Sequence, residues 1–531
     1  MRFFPTRARE LAEEDLLGRW AAAVESGRDA AEMLRRAEQI ATGLARRRGE
    51  HLLADAVGAI RGATAGELRR LARAHRLLAT GMDSYHRQRF VDAERELSAA
   101  GDAFAGTGSP YGHVATLYRA ICVYYGNVTA SRPSFQSILA AIPRDRYPSL
   151  AGRALWMQGT VDVLQSRFEE AVESFNAMRA LLERSSDPDQ TAMADVNLGE
   201  TYELWGEVER GWLHLQRGLG PIIAWGNPRR RHSALHSAAQ ALVWRDQPDL
   251  ALIFLDEVIA NAKVWGQPLA ETEAYSQRSR VRVSLGDTDG AVADAWLALR
   301  AAARMPDGAL RDRSRGSALL SEGMALVATA PHRALRSLHE GYSRQQRSGW
   351  EADRLPFLNA MAHAQEGLGD RAGAEKSLLA AVESYETLRR NTVDPRSRIT
   401  VFRHAQATFD QLVGLSLATL ATDPGPAFDA AERARGRYLL DAWTSGVAGP
   451  GVPSARPVSS AELTGALPAG ITLVTFTQLP DRVVGWVAGE GPLRGVALRN
   501  TGAEHLDRLA WIFVAALVEG DEAAARRLGA E

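Results

Sequence analysis

The sequence predicts a mainly α-helical protein: a solenoid of antiparallel helix pairs with a roughly 40-residue period, followed by a short α/β segment. Three observations predict it. Small residues that open a helix-packing face recur at Ala93, Ala171, Gly211, Ala251, Ala291, Ala334 and Ala374, at spacings of 78, 40, 40, 40, 43 and 40. Self-similarity at such a period marks stacked supersecondary units. The stretches "GTVDVLQSRFEEAVESF" from Gly159, "GETYELWGEVERGWLHL" from Gly199, "LGDTDGAVADAWLAL" from Leu285 and "LGDRAGAEKSLLAAV" from Leu368 share one order. Each carries apolar residues, a turn, an Ala-type position and an apolar residue four further on. Strand-like alternation is absent before about residue 470, which leaves helices as the reading for everything before it.

Each element follows from this register. Residues 1–74 read as helical, with "DLLGRWAAAVESGRDAAEMLRRAEQIATGLARRR" as the clearest run, and are expected to pack as degenerate repeats. Residues 75–395 form the array, and the 78-residue gap predicts a degenerate copy near Pro133. Gly206, Gly286 and Gly369 fall between the helices of a pair, where a helix end needs positive φ. Asp287 and Asp370 follow two of those glycines and are placed to cap the next helix. Residues 396–446 read as a helical connector. The Gly/Pro/Ser/Ala stretch "TSGVAGPGVPSARPVSS" after it reads as a linker. From there the period changes to two. "ITLVTFTQL" and "RVVGWVAG" are β-branched runs about Pro480–Asp481, a hairpin-like turn. "LRGVAL" is a third run, and "EHLDRLAWIFVAALVEG" a helix after it.

Composition narrows the function classes. Among 531 residues, 63 Lys and Arg oppose 64 Asp and Glu, a net charge of −1. No basic excess exists to neutralise phosphates, so no nucleic-acid partner is expected. A single cysteine, Cys122, precludes an intramolecular disulfide and any thiolate-rich metal site. The first residues turn charged quickly, and no apolar run approaches the ~18 residues of a membrane span. The expectation is a cytoplasmic protein with no membrane contact, no cofactor and no bound metal.

The helix-pair pattern resembles the tetratricopeptide repeat, in its small-residue and aromatic positions, with the unit stretched to 40 residues. The later order "AFDAAERARGRYLLD", linker, "ALPAGITLVTFTQLPDRVVGWVAGEGPLRGVAL" and helix resembles the start of a CHAT domain, the caspase-like peptidase domain related to separase. That resemblance implies that residues 447–531 are the N-terminal part of a caspase-like α/β domain. It also implies a cysteine endopeptidase with a His–Cys dyad, whose two residues come later than the region seen here. The sequence given carries no His after His505 and no Cys after Cys122. No catalytic residue is therefore assigned, and this chain is expected to be inactive alone. A separate chain carrying the catalytic half is one expected partner. Bacterial defence or cell death is the setting that the resemblance suggests.

Smaller signals are read conservatively. Cys122, between Ile and Val, reads as a small core residue. His232 and His236 are spaced i, i+4 but lack further ligands, and read as helix-surface histidines. "DTDG" at 287–290 lacks the glutamate of a calcium loop, and "GTGSPYG" from Gly106 lacks the strand and Lys of a phosphate loop. Arg229-Arg-Arg reads as a solvated helix end. The residue eleven before each anchor is expected to face a concave groove: Met82, Thr160, Glu200, Gln240, Arg280, Gly323 and His363. Glu203 and Glu366 follow one turn later. The groove candidates for binding a protein or peptide are thus Glu200, Glu203, Gln240, Arg280, His363 and Glu366; the same row would also suit a merely solvated surface. Two functions remain open: the recognition and regulatory portion of a CHAT endopeptidase that cleaves a protein effector, or a non-catalytic tetratricopeptide adaptor scaffold.

Overall fold

The computed structural model describes residues 5–185, 187–349, 354–391, 395–434, 457–489 and 491–499. It divides into two compact units, Met1–Ala360 with Thr392–Thr400, and Met361–Asn391 with Val401–Glu531.

The first unit begins with α1 (Pro5–Glu10), a π-helical turn (Leu11–Leu16), α2 (Leu17–Glu25), α3 (Ala31–Arg48) and α4 (Leu52–Gly62). Helix pairs follow: α5 (Ala65–His86) with α6 (Phe90–Phe104), α7 (Tyr111–Gly126) with α8 (Val128–Ala141), and α9 (Pro148–Leu164) with α10 (Phe168–Arg184). Then come α11 (Pro188–Leu204) with α12 (Val208–Trp225), α13 (Pro228–Trp244) with α14 (Pro248–Trp265), α15 (Pro268–Ser284) with α16 (Thr288–Ala302), and α17 (Ala309–Leu326) with α18 (Pro331–Ser348). This is a tetratricopeptide-like helical repeat. The degenerate copy expected near Pro133 is the α7–α8 pair, with Pro133 inside α8.

Local sequence explains the punctuation. Proline opens α9, α11, α13, α14 and α15 at the first helical position, where its missing N–H costs nothing. Gly206, Gly286 and Gly369 adopt φ of 87°, 77° and 74° in the interhelical turns. Asp287 and Asp370 accept from the Gly290 and Gly373 amides at 2.9 Å, so "DTDG" is a helix cap.

The anchors work by close approach. Ala93, Ala171, Ala251, Ala291, Ala334 and Ala374 are fully buried. A glycine on the first helix meets the residue four beyond the anchor on the second. Cβ atoms added at Gly81, Gly159, Gly199 and Gly323 would lie 2.8, 2.6, 2.6 and 2.5 Å from Leu97, Phe175, Leu215 and Leu338. Gly323 is therefore a packing residue and does not face a groove. The 43-residue spacing before Ala334 moves that repeat's register by one position. Cys122 lies in the core, 3% exposed, and burial pushes its thiol up to about 12.

The second unit holds the end of α19 (Arg354–Gly367), α20 (Arg371–Asn391), most of α21 (Pro395–Ser416), α22 (Gly425–Ala434), α23 (Ser460–Ala466) and a small sheet. Strands β1 (Leu473–Leu479), β2 (Arg482–Gly489) and β3 (Gly491–Arg499) form an antiparallel meander in the order β1-β2-β3. Phe476 pairs with Gly485, and Gly485 with Val496. Trp486 is fully buried, its ring 5.7 Å from Phe428 of α22, and its indole N–H donates to Thr477 at 3.0 Å. A caspase-like α/β domain is not shown by this sheet; among the described residues the α/β part amounts to three strands. Most of the predicted linker, and the helix predicted from Glu504, lie outside the described residues.

Candidate functional site

The first unit folds back on itself. Gln88, in the α5–α6 turn, donates from Nε2 to Oε1 of Gln267 at 3.3 Å. Arg229 Nη1, at the start of α13, donates to the Tyr85 hydroxyl at 3.2 Å. At the N-terminus, Thr6 donates to Asp189 at 3.0 Å, and Arg9 pairs with Asp187 at 3.1 Å, tying α1 to the start of α11. These contacts join segments more than 140 residues apart and border a partly open cavity of about 620 Å³. Its walls come mainly from the first helix of each pair: α5, α7, α9, α11, α13 and α15, with Leu310 and Arg313 of α17.

One wall is aromatic and basic. Tyr125 stacks on Phe90 with centroids 4.1 Å apart, and Tyr85 meets Tyr118 edge-on at 5.2 Å. Trp156 lies under the Arg229 guanidinium, 5.6 Å from carbon to ring centroid. Arg153 donates to the Tyr118 hydroxyl at 2.8 Å and pairs with Glu13 at 3.5 Å. Arg230 pairs with Asp189. Arg229 and Arg230 thus line the cavity, where the sequence suggested a solvated helix end. The correction follows from the closure of the array, which turns the start of α13 inward.

A second wall holds His232, His236, Trp265 and Glu273. His232 is only 7% exposed and neither ring nitrogen has a hydrogen-bond partner; its Nε2 lies 3.6 Å from Glu273 Oε2. The two imidazoles are 5.9 Å apart. Burial, reinforced by His232, pushes His236 down to about 4, so it is neutral. Burial raises the Glu273 carboxyl, and the neighbouring His232, His236 and Arg313 lower it by more, leaving it below its ordinary value. These are cavity histidines, not helix-surface ones. Among the described residues no group of three potential ligands is placed to hold a metal.

The six predicted groove residues separate into four groups. Glu200 lines the cavity; enclosure by the chain raises its carboxyl, and Ser237 of the next first helix donates to it at 3.2 Å. Gln240 and Arg280 lie on the corresponding turns but reach sideways. Gln240 accepts from Gln277 at 3.1 Å, and Arg280 donates to Ser321 at 3.3 Å. The row is a ladder linking consecutive first helices, and only Glu200 and Thr160 of it line the cavity. Glu203 is corrected outright: it is 5% exposed and packs its Cγ over Gly211 of α12, where a Cβ would meet it at 2.7 Å. Three residues place Glu203 about 60° round the helix from Glu200, on the side that packs against α12. His363 and Glu366 belong to the second unit, where Gln411 of α21 donates to Glu366 at 2.5 Å and lies 3.1 Å from His363 Nδ1. Tyr85, Tyr118, Tyr125 and Trp156 are not among the residues expected from the sequence; their recurrence on the first helices of three successive pairs was the available signal.

No family model matches the chain, and no curated protein matches it. Solved structures with a similar helical arrangement include a Rap protein complexed with competence and sporulation factor, 16% identical over 65% of this chain and 99% of that one, with a TM-score of 0.42. The Rap conjugation gene regulator of plasmid pLS20, in complex with the Phr* peptide, is 14% identical over 72% and 97%, with a TM-score of 0.42. A signal-transduction ATPase with a tetratricopeptide repeat sensor from Pyrococcus horikoshii is 11% identical over 81% and 63%, with a TM-score of 0.43. Likenesses of this strength carry no argument about what the chain binds.

Proposed function

We propose that the first unit is a recognition module that holds a segment of a protein or peptide inside its cavity. One observation carries this reading: a 620 Å³ cavity with aromatic rings on one wall and polar groups on the other, built from the inner helices of the repeats. Aromatic faces supply contact area for apolar side chains, while flanking polar groups orient a chain. The volume suits a short segment, and repeat arrays present such surfaces as a rule.

The test is selection of binding peptides from a random library on the full chain, followed by single substitutions. Trp156→Ala and Tyr125→Ala, inside the cavity, should each weaken selected peptides by about tenfold or more, the size expected of a buried aromatic anchor. Val264→Ser, on an 83% exposed outer position, should not. Equal loss from all three would reject the cavity as the site.

A narrower reading makes this module the regulatory part of a CHAT-type cysteine endopeptidase. What motivates it is the resemblance of the "GITLVTF…RVVGWVA" stretch, which forms the β1–β2 hairpin. Its test is whether the protein isolated from its own cells carries, or co-purifies with, a polypeptide bearing a reactive cysteine. Labelling of such a polypeptide by a caspase-type active-site probe would support it, and absence of labelling would leave the adaptor reading.

A further inference from the structure

We infer that the cavity ligand is a peptide that presents a free carboxylate to Arg229, with an apolar side chain lodged beside it among Tyr118, Tyr125 and Trp156. This rests on the reading of the cavity as a peptide site and adds the chemistry of its anchor.

The inference starts from an unmatched cation. A guanidinium offers five N–H donors in a fixed fork. That of Arg229 spends one on the Tyr85 hydroxyl and lies over Trp156. Among the described residues no carboxylate pairs with it. The neighbouring arginines of the same wall are committed, Arg153 to Glu13 and Arg230 to Asp189. A half-buried cation without a counterion is unfavourable, and a carboxylate delivered by a ligand relieves it with charge-assisted bonds. Arg229 also sits in the first turn of the 17-residue α13, whose N-terminal end adds positive potential at that spot.

A second, independent observation points to the same place. One turn along α13, His232 is more than nine-tenths buried and lines the cavity; its Nε2 lies 3.6 Å from Glu273, beyond hydrogen-bond distance, and its Nδ1 has no hydrogen-bond partner. That buried Nδ1 is a polar atom which a ligand's backbone group or second carboxylate oxygen would satisfy. At the rim, the Gln88–Gln267 bond uses one atom of each amide and leaves Gln88 Oε1 and Gln267 Nε2 for the groups of a peptide chain. A single uncommitted guanidinium matches one negative charge. A polyphosphate would call for several, and that argues for a carboxylate over a nucleotide.

Two libraries of short random peptides, identical except that one ends in a free carboxylate and the other in an amide, are bound to the full chain and to its R229Q and R229K variants. The carboxylate library should be favoured by about tenfold or more, the worth of a hydrogen bond to a charged group. Arg229→Gln should abolish that preference, and Arg229→Lys should retain part of it. Enrichment of Asp or Glu within the amidated library, lost in R229Q, supports the same anchor and assigns the carboxylate to a side chain. R229Q gives up the Tyr85 bond but also removes a cation that no carboxylate pairs with, so it should melt close to the wild type; a much lower melting temperature would make Arg229 structural and overturn the inference. Equal capture of both libraries without acidic enrichment overturns the carboxylate anchor while leaving the peptide site intact. Capture of neither library overturns both.

Discussion

Gln88 and Gln267 lie 179 residues apart in sequence, yet their side-chain amides hydrogen-bond at 3.3 Å. With the Arg229–Tyr85 bond beside it, this contact narrows the inner surface of the first unit into a partly open cavity. A short bismaleimide should therefore bridge cysteines placed at 88 and 267 in the folded protein and not in the urea-unfolded chain. In the folded protein burial raises the Cys122 pKa and keeps it from reacting, and a Cys122→Ser background removes it from the unfolded control. Peptide mapping of the cross-linked product checks this.

The Arg9–Asp187 pair ties α1 to α11 with both side chains nearly sealed from solvent, 3% and 5% exposed. Burial pushes the Asp187 carboxyl up, and the Arg9 charge pulls it down by more, so it stays ionised. Removing one partner leaves the other charge buried and unpaired. Arg9→Met should cost about 3–5 kcal/mol of unit stability, read as a lower chemical-denaturation midpoint.

Gly199 and Gly211 bring the backbones of α11 and α12 into direct contact. A Cβ at 199 would lie 2.9 Å from the Gly211 carbonyl oxygen, and one at 211 would lie 2.8 Å from that of Gly199. Gly199→Val should force the helices apart at a cost of about 1–3 kcal/mol. A thermal melt unchanged from the wild type would reject this packing register.

Glu203 titrates in an unusual range. Burial raises its carboxyl to about 7; Arg245 lowers it from 3.9 Å away, without a hydrogen bond to either oxygen. The folded protein therefore holds this proton more tightly than the unfolded chain, whose ordinary value is 4.5. The contribution to stability is greatest below about 4.5 and falls away as pH rises to about 7. Glu203→Gln should flatten that part of the stability–pH curve and raise the melting temperature on its alkaline side.

The repeat was legible because its determinants are local: a small residue, a turn glycine and an apolar residue return at one period, and close helix approach needs all three. The cavity was only partly legible. Glu200 and Thr160 were found because a fixed offset from the anchor selects one helix face. Gln240 and Arg280 share that offset but are consumed by neighbours, Gln277 and Ser321, which a single-repeat pattern does not contain. Arg229 and His232 turn inward only because residues near 85 meet residues near 229 and 267, a closure that no local period encodes. The caspase-like expectation rests on a resemblance in the order of the "ERARGR" helix, linker, strand runs and following helix behind a repeat array, and three antiparallel strands are too few to carry it.

The most direct measurement is the affinity of library-selected peptides for a protein whose cavity has been filled. Thr160 lines the cavity from α9, half-buried, with its hydroxyl turned back to the Trp156 carbonyl at 2.9 Å. Thr160→Trp should place an indole in the open space. A peptide-binding cavity predicts a loss of affinity of about tenfold or more with an unchanged melting temperature; undiminished binding by a folded Thr160→Trp protein would contradict it.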